Sequence, residues 1–199
     1  MKTRAVFFDL GGVIVRTEFQ APRQYLAERL GMEYEDLVRL VFESETSRTA
    51  SIGAISEAEH WQLVARKLKR SAEADALRDE FFAGDVIDRV LLDFIRSLRP
   101  RWKTGLISNA WSGLRAYLVE KKFDDAFDSL VISAEAGMMK PKAEIYQLAL
   151  GQLGVSANEA LFVDDFMDNV EGARSIGMSA IHFQSPEQAI RDVKQHLKI

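Results

Sequence analysis

The sequence predicts an α/β fold: a Rossmann-like parallel sheet with helices on both faces and a small helical block inserted after the first strand. Three observations carry this. The chain opens on a bare apolar run, Val6-Phe7-Phe8, which ends in Asp9-Leu10-Gly11-Gly12. Strands buried on both faces read this way, and ligands gather beyond their carboxyl ends. From Trp102 onward, strand-length apolar runs alternate with helical periodicity, as βαβ units do. Between Thr17 and Gly84 the periodicity is helical throughout, so this stretch interrupts the alternation after a single strand.

Each element follows in order. Val6 to Asp9 is the first strand, and helical spacing begins after Val15. Leu26 and Leu30, then Leu37, Leu40 and Val41, mark two helices, with Gly31 as the stop between them. Ser56-Glu57-Ala58-Glu59 has the form of a capping box ahead of an apolar stripe at Trp61, Val64, Ala65 and Leu68. A polar helix covers Glu73 to Phe82. Asp85 to Leu98 reads as the helix that returns the chain to the sheet, stopped by Pro100. Trp102 to Ile107 is a strand, Ser112 to Lys121 a helix, and Phe127 to Ile132 a strand. Pro141 fits the first turn of a helix running to Leu153, with Gly154 beyond its end. Ala160 to Val163 is a strand, Asn169 to Ile176 a helix ended by Gly177, Met178 to Phe183 a strand and Pro186 to Leu197 a helix. The expected division is a core of residues 1–16 and 85–199, with residues 17–84 as a helical cap over the carboxyl edge of the sheet.

Composition narrows the function classes. The 199 residues carry a formal net charge of −4 with no basic cluster, which argues against a nucleic-acid partner. The absence of cysteine excludes thiolate catalysis and zinc–thiolate sites. Three scattered histidines make a polyhistidine metal site a poor fit. No apolar stretch is long enough to cross a bilayer, and Met1-Lys2-Thr3-Arg4 runs straight into the strand without a signal-peptide pattern. A cytoplasmic monomer or homodimer, with no membrane partner, is the expectation.

Four positions carry polar chemistry at a strand end or helix start: Asp9, Ser108-Asn109, Lys140 (before Pro141), and Asp164-Asp165 with Asp168-Asn169 behind them. The topology brings all four to one edge of the sheet. Clustered carboxylates repel one another unless a hard cation sits between them, and oxygen ligands suit Mg²⁺. A serine hydroxyl, N–H groups at a helix start and a lysine ammonium suit phosphate oxygens. Together they are equipment for phosphoryl transfer.

This set resembles the four motifs of the haloacid dehalogenase-like hydrolase superfamily. The resemblance spans nearly the whole chain, and within the superfamily it points to sugar-phosphate phosphatases of the glucose-1-phosphatase type. It implies that Asp9 attacks phosphorus and forms an aspartyl-phosphate. It implies that Mg²⁺ is held by Asp9, the Gly11 carbonyl and Asp165, with Asp164 as a neighbouring or alternative ligand. Ser108, the Asn109 amide and Lys140 then hold the transferring phosphoryl group, and the substrate is a small phosphorylated metabolite.

The sequence departs from the superfamily pattern at Gly11, where most of its phosphatases carry a second aspartate that protonates the leaving oxygen. Three readings stay open. The chain is a phosphatase that uses another acid/base, with Glu18 and His60 as conceivable stand-ins, or substrates with good leaving groups. It is a binding or regulatory protein that kept the fold and lost turnover. Or it is a metal-independent 2-haloacid dehalogenase, against which the Asp164-Asp165 pair counts. Cap aromatics (Phe19, Tyr25, Phe42, Trp61, Phe81 and Phe82) divide between the cap's own core and a substrate pocket. Arg16, Arg23 and Arg48 are surface residues or contacts to a second anionic group.

Overall fold

Residues Ala5 to Phe8 are completely buried, and they alternate between two apolar clusters. Val6 and Phe8 belong to one, Ala5 and Phe7 to the other, so this strand has no solvent face. The computed structural model describes residues 2–199. It places this strand, β1 (Ala5–Phe8), at the centre of a five-stranded sheet with β4 (Lys103–Ser108), β5 (Ser129–Ile132), β6 (Ala160–Asp164) and β7 (Ser179–His182). The order is β5-β4-β1-β6-β7 and every pairing is parallel.

Helices cover both faces. On one lie α6 (Arg89–Leu98), α7 (Leu114–Glu120) and α11 (Pro186–Leu197), which bury Leu91, Leu92, Ile95, Leu118, Val193 and others against Val6, Phe8 and Leu106. On the other, α9 (Ala143–Leu153) and α10 (Met167–Ser175) bury Ile145, Tyr146, Ala149 and Ala173 against Phe7 and Phe162. A short α8 (Ser133–Ala136) follows β5 directly.

The chain between β1 and α6 has its own core. Helices α1 (Ala21–Leu30), α2 (Tyr34–Phe42), α3 (Glu45–Ser51), α4 (Glu57–Lys67) and α5 (Ala74–Phe82) gather Leu26, Leu37, Val41, Trp61, Val64, Leu77 and Phe81 into a third cluster. The α4 capping box forms as its sequence predicts: the Ser56 hydroxyl accepts from the Glu59 N–H, and the Ser56 N–H donates to the Glu59 carboxylate. One residue of the sheet domain, Trp111, also belongs to this cluster, stacked on Phe42 with ring centroids 5.9 Å apart.

Two expectations are corrected. Asp85 to Ile87 is a strand, not the start of a helix. β2 (Val15–Thr17) and β3 (Asp85–Ile87) form an antiparallel ribbon at the base of the helical block, and α6 begins only after Asp88, whose side chain accepts from the Leu91 N–H at 2.8 Å. Three residues are too few to show period-two alternation, and the pairing partner lies about 70 positions away. Pro141 lies outside its helix, which starts at Ala143 with Lys142 as N-cap. A cis peptide bond joins Lys140 to Pro141 in the preceding turn.

Candidate active site

Parallel register sets the carboxylates side by side. Phe8 is level with Val163, and the Asp9 N–H donates to the Val163 carbonyl at 2.9 Å, so Asp9 emerges next to Asp164. On the other flank Ser108 ends β4, level with Ile132 of β5. It is buried, and its hydroxyl has no hydrogen-bond partner among the described residues.

Lys140 joins the two carboxylates. Its ammonium lies 2.8 Å from Asp9 Oδ1 and 2.6 Å from Asp164 Oδ2. Asp9 Oδ1 also accepts the Leu10 N–H at 2.7 Å. Asp164 is saturated: Oδ1 accepts from the Phe166 N–H at 2.8 Å and from Asn169 Nδ2 at 3.0 Å, while Oδ2 takes Lys140 and a second contact from Asn169 at 3.2 Å. The Tyr146 hydroxyl in turn donates to the Asn169 carbonyl at 2.8 Å.

Asp165 differs. Among the described residues its carboxylate has no hydrogen bond from another residue, and its carbonyl accepts from His182 Nε2 at 2.9 Å. Oxygens of Asp9, Asp164 and Asp165 all lie within 4.8 Å of one another. Gly12 makes room for them. Its φ is +77°, and a Cβ there would sit 2.0 Å from Asp165 Oδ2, so only glycine fits both the turn and the neighbour.

The electrostatics follow from this crowding. Burial pushes the Asp9 carboxyl up to about 7; Lys140 pulls it down and Asp164 adds to the rise. Burial, then the charge of Asp164, raises Asp165. With all three carboxylates ionised, one ammonium leaves two negative charges uncompensated, which is the strain the raised Asp9 and Asp165 carboxyls register. An all-oxygen donor set with that deficit fits a hard divalent cation. With the lone pairs of Asp164 spent on protein donors, Asp165 and Asp9 are the carboxylates open to it.

Other sequence candidates fall elsewhere. The Asn109 side chain is bonded to the Lys140 backbone. Asp168 is exposed, whereas Asn169 is buried on Asp164. Gly11 is exposed, pairs with Val15 in an isolated bridge, and has open space where a Cβ would be. Of the two stand-ins, His60 is fully buried in the helical block, bonded to Thr46 and to the Val41 carbonyl, while Glu18 is exposed and paired with Arg16. Arg16 and Arg23 are structural, tied to Asp88 and Asp85 at the ribbon. Of the cap aromatics Trp61 and Phe81 are core, while Phe19 and Tyr25 are exposed. Sequence reasoning missed Tyr146, His182 and Trp111. Only Trp111, an apolar residue straight after Ser108-Asn109-Ala110, left a trace there.

Residues 3–177 match the family model for haloacid dehalogenase-like hydrolases. The chain is 25% identical over 215 residues to bifunctional epoxide hydrolase 2 of Rattus norvegicus; the match covers 98% of this chain and 39% of that protein. The chain thus spans well under half the length of that relative. It is 29% identical over 193 residues to phosphatase MT3486 of Mycobacterium tuberculosis, covering 90% of this chain and 87% of the other. In fold it resembles the HAD family enzyme bt-2542 of Bacteroides thetaiotaomicron, solved with magnesium and inorganic phosphate, at a TM-score of 0.77 and 20% identity over 92% of this chain and 94% of that one.

Proposed function

Because the chain belongs to the haloacid dehalogenase-like hydrolase family, we propose that it is a Mg²⁺-dependent phosphatase acting on a small phosphorylated metabolite such as a sugar phosphate. The observation that carries this is the pairing of a satisfied set, Asp9–Lys140–Asp164, with an unsatisfied one, the Asp165 carboxylate and the Ser108 hydroxyl. A phosphatase relative and a similar fold solved with magnesium and phosphate support the reading.

In this scheme a carboxylate oxygen of Asp9 attacks phosphorus, the bond from phosphorus to the leaving oxygen breaks, and an aspartyl-phosphate forms. Water then attacks that phosphorus, returning the Asp9 carboxylate and inorganic phosphate. Asp9, Asp165 and the Gly11 carbonyl would hold Mg²⁺, which would supply Lewis-acid stabilisation of phosphoryl charge. Lys140 offsets charge on Asp9 and on the phosphoryl oxygens, Ser108 holds one of those oxygens, and Asp164 keeps Lys140 in place. Gly11 gives no proton to the leaving oxygen, so that oxygen is protonated from water or leaves as a weak base. Leaving groups of low basicity therefore turn over fastest, and a sugar phosphate, whose leaving oxygen must take its proton from water, turns over more slowly. Residues 17–84 act as the cap that selects the leaving group.

A haloacid substrate fits poorly, since its carboxylate would meet two uncompensated negative charges. Phosphate release from p-nitrophenyl phosphate and a panel of sugar phosphates, with Mg²⁺ or EDTA, tests the reading. Turnover lost in EDTA and restored by Mg²⁺ is expected; halide release from a 2-haloacid with no metal requirement overturns it.

A further inference from the structure

Asn109 directly follows Ser108, and its side-chain amide closes on the main chain of one residue. The Lys140 N–H donates to Asn109 Oδ1 at 2.8 Å, and Asn109 Nδ2 donates to the Lys140 carbonyl at 3.0 Å. A donor and an acceptor meet their complements, which fixes the orientation of the amide. With its oxygen and one N–H spent this way, the side chain is committed to Lys140.

Asn109 is itself held on both sides. Ser108 before it ends β4. After it, the Ala110 N–H donates to Ser133 Oγ at 2.9 Å and the Ser133 hydroxyl donates to the Ala110 carbonyl at 3.1 Å. Trp111 is then buried in the core of the helical block, 4.6 Å from the His60 ring. The next residue, Ser112, accepts the Glu57 N–H at the start of α4. Lys140, by contrast, sits in a turn between α8 and α9, and its long side chain must hold an ammonium between two carboxylates. A flexible lysine loses rotamer freedom there, and an error of about 1 Å in its placement is worth roughly 100-fold in rate.

We propose that Asn109 is a positioning residue: its side chain acts on the reaction by clamping the Lys140 backbone, and through it the Asp9–Lys140–Asp164 geometry, not by contacting phosphate. The proposal rests on the phosphatase reading. It gives the Asn109 side chain a role separate from the phosphoryl contact that the family resemblance assigns to the Asn109 amide.

The test is a double-mutant cycle of Asn109→Ala and Lys140→Ala, with Asn109→Leu as a variant of similar volume. It reads kcat and KM on p-nitrophenyl phosphate, and the Kd of inorganic phosphate with Mg²⁺ by calorimetry. A clamp predicts that both Asn109 variants lower kcat by about tenfold or more while KM moves less than about threefold. It also predicts that on the Lys140→Ala background Asn109→Ala changes kcat/KM and phosphate Kd by less than about twofold. Additive losses, with phosphate affinity falling equally on both backgrounds, identify a direct phosphate ligand and overturn the proposal; so does no effect on either background. A wild-type protein that binds phosphate but hydrolyses nothing sinks the phosphatase reading, while the cycle in phosphate affinity still judges Asn109. A wild type that does neither overturns both.

Discussion

Gly11 is the residue at which the chemistry of this site turns. A general acid–base group is typically worth about 10²–10⁴ in rate, and glycine has none to give. The structure removes a steric explanation for its presence, since a Cβ at position 11 meets nothing within 4 Å and its φ lies outside the left-handed region. Gly11→Asp is therefore accommodated. Steady-state kinetics should show it raising turnover on sugar phosphates, whose leaving oxygens are strongly basic, more than on p-nitrophenyl phosphate. Equal or negative effects on both would show that a missing acid is not what sets the rate. Gly12 is the contrasting case, because Asp165 and a φ of +77° both exclude a side chain there. The sequence shows two adjacent glycines, and only the backbone geometry separates the dispensable one from the required one.

At the scale of elements, the five sheet strands and most helices are readable because each carries a complete periodic signal or a local cap. Ser56 with Glu59 is the clearest case. The ribbon of β2 and β3 is not readable, because its pairing joins residues on either side of the whole helical block. The same holds for the clamp on Lys140 and for the Tyr146–Asn169–Asp164 chain: each member sits at a legible strand end or helix face, but its partner is chosen by packing. His60 shows how packing redirects a legible residue. It is buried between Trp61 and Trp111, and burial lowers its pKa below the ordinary 6.5. The unfolded chain then binds more protons than the folded one in the window below 6.5, so stability is intact above that pH and falls as pH drops through the window. The raised carboxyls of Asp9 and Asp165 act in the opposite sense over the same window, so the test is a difference: in thermal melts from pH 8 to pH 5, wild type should lose stability relative to His60→Gln as pH falls. An unchanged slope in the variant would assign the pH dependence to other groups.

At the scale of the molecule, strand order explains why the site exists at this place. The chain runs from central β1 outward through β4 and β5 on one side, and later fills β6 and β7 on the other. The end of β1 is thus the point where the winding reverses, and a crevice opens there beyond the carboxyl ends of the strands. Asp9 stands at that point with Ser108 and Asp164 on the neighbouring strands. Asp9, Ser108 and Asp164 are legible because topology delivers strand ends to this edge; Lys140, in a turn between α8 and α9, is brought to them by packing. The helical block is tied to the chain after β4 through Trp111 and Ser112, and to the core through the β2–β3 ribbon. The central claim is that the phosphoryl group passes through Asp9. Brief reaction with a ³²P-labelled phosphomonoester and Mg²⁺, quenched in acid and digested, tests it most directly. The account predicts hydroxylamine-labile label on the peptide containing Asp9, and neither label nor turnover in Asp9→Asn; an Asp9→Asn protein that still releases phosphate at the wild-type rate would contradict it.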